Sequence, residues 1–278
     1  MDETTTKTII IQALSTLTPP QITALSATIS TIFRRHNHRI SALLSSHTLF
    51  SLSLHHLHSL SLHQKSFLIA RHLLTLLSHL FHFLHPTTAR MPPYTTTILN
   101  NRDLDTVLLL LLLCEFHQHE PESLKTFSHA NWRANLSRYI STTILTLSGI
   151  GFGSSTSETL IKYIELVAKC KKFVEVMGYG YWKEGKEVAA SVAAVVALPS
   201  VEVKQGGKEC VICKEEMKQG RDVCELPCEH LFHWMCILPW VIKTNTCPCC
   251  RHSLPTDDVY GEIERQWKVV VMIGGGYN

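Results

Sequence analysis

Apolar residues recur at helical spacing along most of the N-terminal two thirds of the chain. After Thr18, a suitable N-cap, Pro19 and Pro20 occupy positions that a first helical turn tolerates, and Ile22, Leu25, Ile29 and Ile32 then share one face. A basic patch of Arg34, Arg35 and Arg39 follows. Leu73, Leu76, Leu80 and Leu84 form a second stripe opposite His72, Thr75, His79 and His82, and Pro86 ends it. Between them, Leu52, Leu54, Leu57, Leu60 and Leu62 mix alternation with helical spacing, and the helical neighbours favour helix there. Beyond a linker at Pro92 and Pro93, the pattern predicts a helix from Asp103 to Phe116, another after Pro121, and a Gly/Ser loop at Gly149 to Ser157. A further helix carries Leu160, Tyr163, Ile164, Val167 and Val174 up to Gly178 to Gly180, and Glu184 to Leu198 is helix-prone. Pro199 to Glu209 reads as a flexible boundary, which places a domain break near residue 205. Thr256, Asp257 and Asp258 suit the start of a last helix bearing Ile263 and Trp267.

The two most apolar runs, Val107 to Cys114 and Val188 to Leu198, fall short of the roughly 20 residues a bilayer span needs. Both read as buried helices, and no transmembrane span is expected. Met1, Asp2 and Glu3 begin no secretory signal, which needs a basic and then an apolar stretch. From Glu3 to Asp103 the chain has no acid and is rich in hydroxyls, a composition like that of organelle transit peptides. The acids at Asp2 and Glu3, and periodicity running far past presequence length, favour a folded helical region with a substrate or localisation role. The 278 residues are 45% hydrophobic, which excludes a disordered chain, and a net charge of +3 is too small for a polybasic nucleic-acid binder.

The cysteines sharpen this picture, because eight of the 10 lie between Cys210 and Cys250. No export signal accompanies them, so metal ligation is favoured over disulfides. Cys210 and Cys213 bracket two residues, fourteen residues lead to Cys228, and His230, His233 and Cys236 follow at gaps of one, two and two. Ten more lead to Cys247, which with Cys250 brackets another two. Eight thiolate or imidazole ligands make two tetrahedral sites of the closed structural kind, with no open position for activating water. Cys224 and Cys249 are spare, Cys224 as a small apolar residue in a short strand. Eleven of the 17 histidines lie between His36 and His85, His55, His56 and His58 among them, but no thiol or carboxylate joins them. They read as solvated or interface side chains rather than ligands.

This pattern resembles the RING finger family in its RING-H2 form; a PHD finger has Cys where His230 stands. The gap from Cys228 to His230 and the Cys-Pro-X-Cys pair closed by Cys250 fit that family. The resemblance implies a small α+β zinc-stabilised cross-brace domain over 205–254. It follows a mainly α region, 1–204, and precedes a C-terminal helix and tail, 255–278. One structural zinc ion would be held by Cys210, Cys213, His233 and Cys236, and the other by Cys228, His230, Cys247 and Cys250. So small a segment buries too little apolar surface to be stable alone, and each zinc site supplies folding free energy on the order of 10 kcal/mol.

The resemblance also implies an activity, that of a RING-type E3 ubiquitin ligase. In the family, residues at the positions of Ile212, Trp240 and Pro248 form a shallow apolar groove for the E2 ubiquitin-conjugating enzyme. A basic residue at the place of Arg251 bridges that enzyme and the ubiquitin it carries. The ligase itself forms no ubiquitin thioester; it restricts the donor so that a substrate lysine can attack, which is catalysis by positioning. The alternative is a non-catalytic zinc-finger adaptor that scaffolds protein partners. The stretches "NRDLDTVLLLLLLCE", "GRDVCELPCEHLFHWMCILPWVIKTNTCPCCR" and "LPTDDVYGEIERQW" look like those of plant amyloplast-associated ligases of shoot gravitropism. That likeness implies a plastid-associated or cytoplasmic setting.

Overall fold

The computed structural model describes residues 2–85, 99–121, 129–147, 155–177, 187–204 and 207–275. The expected breaks at Pro86, at Pro92 and Pro93, at Gly149 to Ser154, at Gly178 to Gly180 and at Gly206 lie outside them. Two compact units form. A helical unit takes the described residues up to Leu84, from 99 to 177 and from Val269 onward, and a second unit takes His85 and 187 to Lys268.

In the helical unit, α1 (Glu3–Ser15), α2 (Pro19–Ser45), α3 (His47–Ser59), α4 (Leu62–Leu84), α5 (Asn101–His119), α6 (His129–Leu147) and α7 (Thr156–Met177) follow the periodicity of the sequence. Thr18 N donates to Gln21 Oε1 at 2.9 Å ahead of Pro19 and Pro20, and Leu25 and Ile29 are fully buried. The mixed leucine pattern becomes α3, whose N-cap Ser46 accepts from Leu49 N and which buries Phe50 and Leu57. Among the described residues, α4 is the one helix with the length and mean hydropathy of a membrane-crossing segment. Its Ile69, Leu73, Leu76, Leu77 and Leu80 are buried, and it packs on α7, α5 and α2. The buried Tyr163 hydroxyl of α7 donates to the Leu76 carbonyl at 2.8 Å. Arg39 ties α2 to α5 through Asp105, donating from Nε to Oδ1 at 2.7 Å and from Nη2 to Oδ2. Ile40, Leu112, Tyr139 and Leu166 help line a cavity of about 490 Å³ between α2, α5, α6 and α7.

The second unit contains α8 (Val192–Val196), β1 (Ser200–Glu202), β2 (Asp222–Glu225), β3 (Leu231–Phe232), α9 (Trp234–Val241) and the first part of α10 (Val259–Gly274). The strands form an antiparallel sheet in the order β1-β2-β3, with Val201 opposite Val223 and Cys224 opposite Phe232. Leu198, Val203, Met217, Val223, Leu226, Phe232, Ile237, Val241 and Leu254 share one core with the buried thiols.

Two local expectations change. The segment from Val188 to Leu198 is not one buried helix: α8 has five residues, with Val192 and Val196 exposed. Ser191 Oγ caps it late by accepting from Ala194 N, and Val188 and Ala190 direct their backbone groups to Asn245 and Val241 instead. Nor are residues 199 to 203 a flexible spacer, because Pro199 accepts from Glu225 N, β1 pairs with β2 and Val203 is buried.

Candidate functional site

The first and last cysteine pairs are built by the same local rule. Lys214 N donates to Cys210 O at 2.8 Å and Arg251 N donates to Cys247 O at 2.9 Å, so each Cys-X-X-Cys closes on itself. Cys210 N then donates to Glu215 O and Cys247 N to His252 O, both at 2.9 Å. Lys214 and Arg251 adopt left-handed backbone angles, φ 63° and φ 59°, as does Glu229 (φ 65°) between Cys228 and His230. A side chain in that region is strained by roughly 1–3 kcal/mol, and such residues cluster where a site over-determines them. The turns aim the sulfurs inward and leave Arg251 exposed.

Helix α9 and strand β3 bring in the remaining groups. His233 occupies the N-cap position of α9, Cys236 lies on its first turn, and the turn before β3 presents Cys228 and His230. The result is two interleaved groups. Sulfur and ring-nitrogen atoms of Cys210, Cys213, His233 and Cys236 lie within 4.8 Å of one another, and so do those of Cys228, His230, Cys247 and Cys250. Both imidazoles turn Nδ1 toward sulfur, His233 at 3.3 Å from Cys213 and His230 at 3.4 Å from Cys228. Burial and the neighbouring thiols push Cys228 and Cys236 up to about 12, because thiolates held this close cannot all ionise without a cation among them. Such a donor set fits a divalent metal with soft and imidazole ligands.

Neither spare cysteine belongs to the two groups, although Cys249 N donates to Cys247 Sγ at 3.4 Å. Cys224 is fully buried in β2, and burial, with Glu225 beside it, raises it to about 11, so it stays a thiol. Cys249 is exposed. Ile212 lies in the first Cys-X-X-Cys turn at 36% exposure, and Trp240 lies on the last turn of α9 at 39%. Pro248 is half-buried in the last turn. The Trp240 indole donates from Nε1 to Thr246 O at 2.8 Å, while Phe232 and Ile237 fill the core.

Interleaved Cys/His groups on a three-stranded sheet and one short helix define a RING finger, and the family model "Ring finger domain" matches residues 208–251. Over 284 aligned residues, 97% of this chain and 96% of the relative, the chain is 49% identical to "E3 ubiquitin-protein ligase SGR9, amyloplastic" of Arabidopsis thaliana. It therefore belongs to the family of RING-type E3 ubiquitin ligases. It is 44% identical to E3 ubiquitin-protein ligase RNF181 of Rattus norvegicus over 86 residues, 30% of this chain and 52% of that one. With E3 ubiquitin-protein ligase RING1-like of Arabidopsis thaliana the identity is 46% over 74 residues, 25% of this chain and 23% of that one. No solved structure matches the chain.

The structure brings together, in the same two groups of four, the eight residues that the family resemblance implies as ligands. Sequence reasoning did not single out Asn245, Thr246, Val188 or Ala190, whose backbone bonds surround Trp240. Polar turn residues and small apolar ones give no spacing signal.

Proposed function

We propose that the chain binds two structural zinc ions, recruits a charged ubiquitin-conjugating enzyme and promotes ubiquitin transfer to substrate lysines without a covalent ligase intermediate. The observation that carries this reading is the pair of interleaved four-residue groups, each with ligand atoms within 4.8 Å. Cys210, Cys213, His233 and Cys236 would hold one zinc, and Cys228, His230, Cys247 and Cys250 the other. Zinc there supplies folding free energy and fixes the turns. With all four ligands from protein, neither site has a place for reacting water.

The chain's own residues do the rest. Ile212, Trp240 and Pro248 offer partly exposed apolar surface, and a Trp anchored by one indole hydrogen bond loses little freedom on docking. Arg251, exposed on the turn after Cys250, presents a guanidinium fork for the donor ubiquitin. Holding that donor in a near-attack pose accelerates aminolysis of the thioester by a substrate lysine.

Within the region 1–204, the helices up to Met177 are assigned substrate choice or placement, while 187–204 packs into one unit with the RING at 205–254, and 255–278 is the C-terminal helix and tail. Near-full-length similarity to a ligase named amyloplastic supports a setting at the amyloplast surface and a part in gravitropism. In reconstituted autoubiquitination, Ile212→Ala and Trp240→Ala should abolish chain formation while zinc content is retained. Retained activity in either would refute the groove, and inactivity of the wild-type chain across a panel of conjugating enzymes would favour an adaptor.

A further inference from the structure

The end of α9 and the turn after it, Trp240 to Asn245, have a backbone held from two sides. Upstream, Ala190 N donates to Val241 O at 2.9 Å, and Asn245 N donates to Val188 O at 2.7 Å. Downstream, Leu254 N donates to Asn245 O at 2.6 Å, the Asn245 amide donates from Nδ2 to Leu254 O at 2.8 Å, and Thr246 bridges to Ser253. Ser191 N donates to Pro255 O at 2.8 Å and joins the two flanking segments to each other. The first turn of α10 closes the arrangement, since a Cβ on Gly261 would lie 3.6 Å from Val188 Cγ1.

Asn245 thus uses backbone N–H, backbone carbonyl and side-chain amide at once, each on a segment outside its own turn. The residue after it, Thr246, supplies the carbonyl that accepts from the Trp240 indole at 2.8 Å. Any shift of Asn245 therefore moves the acceptor that fixes the indole. Trp240, 39% exposed, has few other polar constraints to hold it.

We propose that Asn245 is a positioning residue for conjugating-enzyme recruitment, acting through Thr246 to pre-set Trp240, and that the segment Val188 to Ser191 is part of the recruiting unit. This rests on the groove proposed above. A pre-set indole docks without first losing rotamer freedom, so the gain belongs to affinity for the charged conjugating enzyme rather than to the transfer step.

The test is discharge of ubiquitin from a preloaded conjugating enzyme to free lysine, titrated against full-length Asn245→Asp and Asn245→Ala. The first variant sets a carboxylate against the Leu254 carbonyl, and the second removes the amide. Losing one hydrogen bond at a coupled position should raise the half-saturating concentration about tenfold. The maximal rate should stay within about twofold and zinc content should be unchanged. On a Trp240→Phe background, which keeps an aromatic anchor but has no N–H for the Thr246 carbonyl, Asn245→Asp should add nothing, because its effect passes through the indole hydrogen bond. Unchanged half-saturation in both variants, an equal further rise on the Trp240→Phe background, or loss of zinc would each overturn the role. If Trp240→Ala alone leaves half-saturation at the wild-type value, the groove itself fails and this role falls with it.

Discussion

His36 and His72 face each other inside the helical unit with ring centroids 5.1 Å apart, and His72 Nε2 is buried with no hydrogen-bond partner. Burial, with Arg35 beside it, lowers His36 to about 4; burial, with His36 beside it, lowers His72 to about 3. Both are neutral in the folded state, whereas in the unfolded chain they accept protons near pH 6.5. Stability is therefore independent of these groups above about pH 6.5 and is lost as pH falls from there toward the folded values. The loss reaches up to about 1.4 kcal/mol per pH unit for each histidine. Thermal melts of the wild type should drop steeply between pH 6.5 and about 4, and His72→Leu should flatten that drop without lowering stability at pH 7.5. An equally steep drop in His72→Leu would contradict the assignment. These two residues were not legible as core. The leucine stripe of α4 identified one buried face, but a helix packed on α2, α5 and α7 buries its opposite side too. Periodicity reports the most apolar face, not the number of neighbours. Arg39 and Asp105 carry the same lesson: each sits in a helix the sequence foresaw, yet 66 positions separate the partners. Arg39→Met should cost about 3 kcal/mol in chemical denaturation by leaving the Asp105 carboxylate buried and unpaired.

Elements were legible wherever a local signal dominated. Capped, strongly periodic α2 and the helix after Asp258 formed where expected. Asp258 Oδ1 accepts from Gly261 N at 2.7 Å, and Ile263 and Trp267 are buried. Strand β1 was not legible, because three residues between Pro199 and a Gly-containing stretch carry no period, and only pairing with β2 makes them a strand. Val203→Ala should accordingly lower the stability of the RING unit by about 2 kcal/mol, measured by denaturant unfolding followed through tryptophan fluorescence. Helix α10 is held by the fully buried Glu262, which accepts from Arg265 Nε at 2.8 Å, Gln266 Nε2 at 2.9 Å and Thr256 N at 3.2 Å. Glu262→Ala leaves those donors unmatched and should destabilise the same unit by about 3 kcal/mol, with α10 helicity falling in parallel.

At the scale of the whole molecule, the two units owe their stability to different physics. Among the described residues, the helical unit buries leucine, isoleucine and phenylalanine of the helices α1 to α7, whereas the RING unit builds a short sheet and an eight-residue helix around eight Cys/His side chains. Chelation with excess EDTA, which would remove the zinc proposed above, should therefore unfold the RING unit while most of the far-UV helical signal survives; loss of both together would contradict that division. The two Cys/His groups were legible because Cys and His spacing is a local, chemically narrow signal. The bonds that hold Trp240 were not, since they run through backbone groups of unremarkable residues. The central claim is that this chain accelerates ubiquitin transfer by positioning. Its most direct measurement is single-turnover discharge from a preloaded conjugating enzyme to free lysine, with the chain itself examined for reducible ubiquitin adducts. The expected result is acceleration by the wild type, its loss in Trp240→Ala and after chelation, and no thioester on any cysteine of the chain. Acceleration that survives in Trp240→Ala, or a thioester-linked ubiquitin on Cys249 or another thiol, would contradict it.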